Sequence, residues 1–255
     1  MRLKLLAALL AAGLVAVLSP GIASANHSWG GYHWARTSNP FTLKLSDNVT
    51  STWDSSLAST SSDWTASSVL NTTIVPGSAN PRNCKAPLGQ VSVCNAAYGN
   101  NGWLGIASIS ITGGTHITKG SVRLNDTYFN TPQYNTSEWR NLVTCQEVGH
   151  TLGLDHQDET FDNPNLGTCM DYTNDPSTNQ HPNNHDYDQL VAIYSHLDTS
   201  TTVGANAVPG APGATAGNSP DGWGHSVAGS RASGHSTYVR DLGEGNLVVT
   251  FVTWA

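Results

Sequence analysis

Positive charge is scarce in this 255-residue chain, which carries 11 Lys and Arg against 18 Asp and Glu. That shortage excludes a surface built to track a nucleic-acid backbone. Long hydrophobic runs are missing as well. The one apolar stretch, Leu5 to Leu18, is too short to span a bilayer comfortably. It follows Arg2 and Lys4 and precedes Ala23-Ser24-Ala25, the layout of a secretory leader cut after Ala25. With Arg2 and Lys4 in the leader, nine basic residues face 18 acidic ones in the remainder, a net charge of −9 that favours solubility. The expected protein is exported, has no membrane or nucleic-acid partner and is a monomer. Cysteine is sparse too, at four. An even count in an exported chain implies two disulfides and leaves no extra thiol to latch onto a metal. Three pairings are open at this stage.

What is present is concentrated in the stretch Thr144-Cys145-Gln146-Glu147-Val148-Gly149-His150-Thr151-Leu152-Gly153-Leu154-Asp155-His156. On a helix, residues four apart share a face, so Gln146 and His150 project together with Glu147 beside them. Gly153 supplies the stop, because glycine adopts the left-handed conformation that ends a helix. The turn returns His156 as a third ligand. Two helix donors and one later imidazole leave a fourth tetrahedral position for water, the arrangement of a catalytic zinc site. Glu147 is placed to take a proton from that water.

The pattern Q-E-x-x-H-x-x-G-x-x-H resembles the metzincin metallopeptidase signature, with Gln146 standing where that family has histidine. Downstream, Gly167-Thr168-Cys169-Met170-Asp171-Tyr172 resembles the family's Met-turn. The resemblance implies Gln146, His150 and His156 as metal ligands and Glu147 as general base. It places Met170 beneath the metal and makes Tyr172 a displaceable extra ligand or oxyanion donor. Zinc is the implied cofactor. Copper is the alternative, because some gametolysin-like relatives with the Gln variant are associated with it. Pairing Cys84 with Cys94 closes a short loop, and pairing Cys145 with Cys169 ties the site helix to the Met-turn; the last two are otherwise thiols or ligands. Asp155 and Asp158 can orient His156 from behind, and Asp171 can fix the Met-turn. His116, His181, His185 and His196 are weaker candidates to replace the missing ligand.

Around this motif the chain reads as α+β. Trp29 to Trp34 is an aromatic, glycine-rich leading segment. Alternation predicts a strand from Phe41 to Leu45, and Val49, Trp53 and Leu57 predict a helix running to about Ala66. Further strands are expected at Val69 to Val75, Trp103 to Thr112 and Ile117 to Asn125. Asn135 is read as the start of the site helix, with Glu138 three residues on as a capping box. Tyr187, Leu190, Val191, Tyr194 and Leu197 predict a closing helix after Pro182-Asn183-Asn184. Alanine, glycine and proline then mark a linker, and Ser236 to Trp254 alternates around Gly243-Glu244-Gly245-Asn246 as a β-hairpin that must dock on something.

The resulting organisation is a leader (1–25), a metzincin-like domain (26–200), a linker (201–222) and a small hairpin tail (223–255). A twisted mixed sheet stands over an active-site helix and a C-terminal helix. Peptide substrate is expected along an edge strand at roughly His116 to Asn125, with a specificity wall between Thr173 and His181. The function expected is a secreted metal-dependent endopeptidase. The alternative is a catalytically silent protein of the same fold that binds peptide, zinc or copper.

Overall fold

Residues 27–204 and 216–255 are described in the computed structural model. The expected leader (1–25) and the middle of the expected linker (201–222) lie outside the described residues. Alternation does set the early strands. In β2 (Phe41–Asn48), Phe41, Leu43 and Leu45 are buried while Thr42 and Lys44 face solvent. Helix α1 (Asp54–Thr65) begins later than the Val49 spacing implies. The reason is local: Asp47 Oδ1 accepts from the Val49 amide at 3.0 Å, and the Trp53 amide donates to Thr50 at 2.8 Å, so these residues form turns. After β3 (Leu70–Pro76) comes β4 (Gln90–Ala96), which shows no polar alternation because Val91 to Asn95 are buried on both faces.

Strands β5 (Trp103–Thr112) and β6 (His116–Asn125) form a hairpin turning through Gly113 and Gly114, both at positive φ. A short strand β1 (His33–Trp34) runs parallel to the start of β6, His33 opposite His116 and Trp34 opposite Ile117. The four-residue helix α2 (Asp126–Phe129) leads to the site helix α3 (Ser137–Thr151), and α4 (Asn184–Ile193) follows the Met-turn. Asn183 caps α4 in a capping box with Asp186. Leu197 falls beyond the helix and is 57% exposed, so the closing helix is shorter than its spacing implied.

The last three strands are β7 (His225–Ser230), β8 (His235–Gly243) and β9 (Asn246–Trp254). The β8–β9 turn sits where expected, with Glu244 at φ 54° and Gly245 at φ 73°, the positive pair a two-residue turn requires. The hairpin docks by adding β9 antiparallel to β5, from Trp103 opposite Trp254 to Ile111 opposite Leu247. A single mixed sheet results among the described residues, in the order β3-β2-β4-β6-β5-β9-β8-β7.

This order corrects one expectation. His116 to Asn125 is an interior strand, held by β4 on one side and β5 on the other. The hairpin through Gly113-Gly114 puts β5 outside β6, and the outer side of β5 is then taken by β9.

The helices pack on one face of the sheet, around Trp34, Trp53, Trp64, Leu43, Val93, Ile109 and Val148. Each large aromatic removes about 150–250 Å² from water, on the order of 4–6 kcal/mol of gross burial. The other face is covered at β5 and β9 by Trp223 and Ala216 against Trp103, Ile106, Val248 and Trp254. Cys84 bonds to Cys94 and Cys145 to Cys169, as expected. Among the described residues no helix is long and apolar enough to cross a membrane. The class is α+β, with a large mixed sheet and few helices.

Candidate functional site

The cap of helix α3 lies one residue after the expected one: Thr136, not Asn135, accepts the Trp139 amide on its hydroxyl at 3.3 Å. The far end behaves as its sequence requires. Gly153 has φ +97°, and a Cβ there would lie 2.2 Å from the carbonyl oxygen of Tyr32, so only glycine fits. Side chains from distant elements hold the last turn, with Trp34 Nε1 donating to the Thr151 carbonyl and the Tyr194 hydroxyl to the Leu152 carbonyl, each at 2.9 Å.

The turn at Gly153 brings His156 back onto the helix. Its Nε2 lies 3.0 Å from His150 Nε2. His150 Nδ1 is 2.9 Å from the Leu154 carbonyl, so that nitrogen carries the proton and Nε2 keeps its lone pair. Burial, reinforced by His156, lowers the His150 pKa to about 3, so the ring is neutral. Asp155 Oδ1 sits 3.4 Å from His156 Nδ1 and accepts the His156 amide at 2.9 Å, the orienting role expected of it. Asp158 has no such role: its carboxylate is engaged by the Thr160 amide and Asn163, and its carbonyl accepts from the Tyr172 amide at 3.2 Å.

The segment Gly167 to Tyr172, expected as a Met-turn, lies directly against α3. The Cys145–Cys169 bond crosses between them, and Gln146 Nε2 donates to the Cys169 carbonyl at 3.0 Å. The Met170 sulfur fills the space beside Gly149, 2.6 Å from where a Cβ would stand. Asp171 Oδ2 accepts from the Leu166 amide at 2.8 Å and from Asn179 at 2.9 Å, which fixes the turn. The Tyr172 hydroxyl is 2.9 Å from His156 Nε2. Burial raises its pKa well above the ordinary phenol value, so it is a donor.

Gln146 and Glu147 share a partner that the motif does not contain. Thr253 Oγ1 on β9 is 2.7 Å from Glu147 Oε1 and 3.0 Å from Gln146 Oε1. One hydroxyl proton serves one acceptor at a time. Glu147 is fully buried, and burial raises its pKa to about 8 against opposing hydrogen bonds from Thr253 and the Ala107 amide. A protonated carboxyl near neutral pH donates to Thr253 Oγ1 and leaves the threonine proton for Gln146 Oε1. Its other oxygen, Oε2, is buried and has no hydrogen-bond partner among the described residues.

Two further groups reach the site from the tail. Phe251 stacks on His150 with centroids 4.3 Å apart and planes 5° apart. His235 stacks on Tyr172 at 4.4 Å, with Nε2 3.3 Å from Glu159 Oε1. Thr253, Phe251 and His235 were not anticipated, since each arrives with the β8–β9 hairpin, which joins the sheet by pairing β9 with β5 from well over a hundred residues away. The cover is complete enough that residues Leu142 to Thr151 are all buried, although Gln146, Glu147 and His150 were expected to face an open cleft. A cavity of about 340 Å³ adjoins Gln146 and Tyr172; Thr173 and Asn174 form part of its wall, with Arg231 and Trp254 among the tail residues lining it.

The weaker histidine candidates lie elsewhere. His181 pairs with Asp63 at 2.8 Å and His185 stacks on His27. His116 and His196 gather instead with His33 around Asp198. No protein-family model matches the chain, and comparison with curated proteins found no match.

Proposed function

We propose that the chain is an exported metal-dependent endopeptidase of metzincin type whose cleft is covered by its own last strand. One observation carries this reading. Two imidazole Nε2 atoms converge at 3.0 Å, and the same helix carries a buried carboxylate oxygen with no partner among the described residues. Buried polar atoms are ordinarily satisfied, so an orphan here marks a place built for a ligand or water.

The donor set fits a borderline divalent ion: His150 Nε2 and His156 Nε2, with Gln146 Oε1 as third donor once it exchanges its bond from Thr253. Zinc, or copper in its place, would supply Lewis acidity to a water and to the substrate carbonyl. The protein's own part is proton handling. Glu147 as carboxylate accepts a proton from the attacking water at Oε2, and as acid it delivers that proton to the leaving amine. Tyr172 offers its hydroxyl as donor to the developing oxyanion, and Asp155 holds His156 in place. Substrate pairing along β5 would require β9 to move aside, because β9 already fills that edge.

The test is cleavage of a diverse peptide library by zinc-loaded protein carrying Thr253→Val, beside the same protein with Glu147→Ala added. Products made by the first and absent from the second support the peptidase. Equal product lists remove it. The second reading is a silent protein that binds metal or peptide, and it is favoured by the engagement of the Gln146 amide with Cys169 and Thr253. Elemental analysis of protein purified without metal-affinity resin separates a copper protein from a zinc one.

A further inference from the structure

Away from Glu147, four side chains from three distant segments gather at one spot. His33 lies on β1, His116 opens β6, and His196 and Asp198 follow α4. The Nε2 atoms of all three histidines approach the same oxygen, Asp198 Oδ1, at 3.5, 3.3 and 3.8 Å. His33 Nε2 and His196 Nε2 are 3.2 Å apart. His33, His196 and Asp198 form the tight core, with donor atoms within 4.8 Å of one another.

We propose that this cluster is a second metal site, separate from the Glu147 site, that holds one zinc-class divalent ion in a structural role with His33, His196 and Asp198 as ligands and His116 as the fourth.

The spacing fits. With metal–nitrogen and metal–oxygen bonds of about 2.0–2.1 Å, the edges of a tetrahedron of donors are about 3.4 Å, and the separations of 3.2 to 3.8 Å in the cluster bracket that value. Orientation fits as well. His33 Nδ1 is 2.8 Å from the Gly31 carbonyl, which fixes the proton there and leaves the Nε2 lone pair facing the cluster. A bare Nε2 at 3.2 Å from a second Nε2 needs either a proton or a cation between them. The rings of His116 and His196 both stand edge-on to His33, at 5.0 and 4.6 Å, so three imidazoles fan around one point without stacking.

The carboxylate is held from behind. Arg36 donates to Asp198 Oδ2 through its amide at 3.1 Å and its guanidinium at 3.0 Å, which leaves Oδ1 for the cluster. Arg36 also binds the His196 carbonyl. Its guanidinium engages Oδ2, so the remaining donor set is three imidazole nitrogens and one oxygen, suited to zinc or another borderline ion. Four protein donors leave no position for substrate, which is the mark of a structural site. An ion there would staple the leading segment, the start of β6 and the chain after α4. Trp34, next to His33, is the residue that holds the Thr151 carbonyl at the end of the site helix.

The experiment is zinc titration of the chelator-stripped full-length chain, read by bound zinc per chain and by the rise in melting temperature. The wild type is set beside His196→Ala, His116→Ala and His150→Ala/His156→Ala. His196 is half exposed and His116 one-third exposed, so replacing them leaves the core packing alone. The expected result is loss of one zinc equivalent in His196→Ala, at least tenfold weaker binding of that equivalent in His116→Ala, and a smaller zinc-induced melting shift in both. The double variant should keep this equivalent whether or not the other site binds metal. Unchanged zinc content and melting shift in His196→Ala overturn the proposal, as does zinc content in the double variant that falls to zero.

Discussion

The hydroxyl of Thr253 stands 2.7 Å from Oε1 of Glu147, joining the last strand of the sheet to the buried carboxyl group of the site helix. That contact and complete burial fix the acidity of Glu147, and acidity becomes a stability signal. Its folded pKa of about 8 lies above its ordinary 4.5. A raised pKa contributes stability that is complete below about pH 4.5 and is lost as pH rises through 8, because the folded state must then hold a buried charge. The metal-free wild type should therefore lose on the order of a few kcal/mol between pH 5 and pH 9 that Glu147→Gln does not lose. The neutral buried histidines, His27, His33, His150 and His235, have pKa values lowered first by burial. Their contribution is present above 6.5 and lost on acidification, so it cancels in the comparison. Urea unfolding at both pH values with chelator present measures the difference, and parallel slopes for the two proteins would contradict it.

Thr253→Val keeps the shape of the strand and removes the hydroxyl that two buried side chains use. Leaving those acceptors short costs about 1–3 kcal/mol. That loss weakens β9 specifically over the site, so the uncovered state becomes about five- to thirty-fold more populated per 1–2 kcal/mol. Glu147-dependent cleavage by zinc-loaded protein should rise by a similar factor. If stability falls and cleavage does not change, β9 is not what limits access.

How much of this was legible in the sequence follows the range of the interactions. Gly153, His150 and His156 were readable because a helix and a three-residue turn decide where they go. Both disulfides join segments that the motif or a short loop already places together. The strand β4 was not readable, since burial on both faces erases the alternation that marks a strand. The edge of the sheet was misplaced for a different reason. Which strand is outermost depends on where β9 docks, and the pairing of Trp254 with Trp103 is set by packing on both faces of the sheet, which no local pattern records. Thr253, Phe251 and His235 were missed with it. The gathering of His33, His116 and His196 required β1, β6 and the end of α4 to be placed first.

Gly153→Ala tests whether the turn, and not the helix, positions His156. The new methyl would meet the Tyr32 carbonyl at 2.2 Å, and the left-handed backbone adds strain of about 1–3 kcal/mol. Gly167→Ala is the control, since it also has positive φ (+72°) but nothing lies within 4 Å of its added carbon. Thermal unfolding should show the larger loss at Gly153. Zinc affinity at the His150–His156 pair should fall only there. Equal losses at both positions would mean that backbone conformation alone, and not contact with Tyr32, sets the cost.

The two disulfides should differ in kind more than in size. Cross-linking across 24 residues, as Cys145–Cys169 does, restricts the unfolded chain by about 3 kcal/mol, and the 10-residue separation of Cys84–Cys94 by slightly less. Replacing either pair by alanine should therefore lower stability by comparable amounts. Only the first links α3 to the Met-turn, where Gln146 Nε2 reaches the Cys169 carbonyl and Met170 packs on Gly149. Loosening that link lets the helix shift against Met170 and widens the separation of His150 and His156. Cys145→Ala/Cys169→Ala should thus weaken zinc binding at the helix site about tenfold or more, by analogy with the loss of groups that orient metal ligands. Cys84→Ala/Cys94→Ala should leave that affinity unchanged. Calorimetric zinc titration of both double variants, each checked for folding by circular dichroism, decides it: matching affinities would show that the disulfide stabilises the chain without shaping the site.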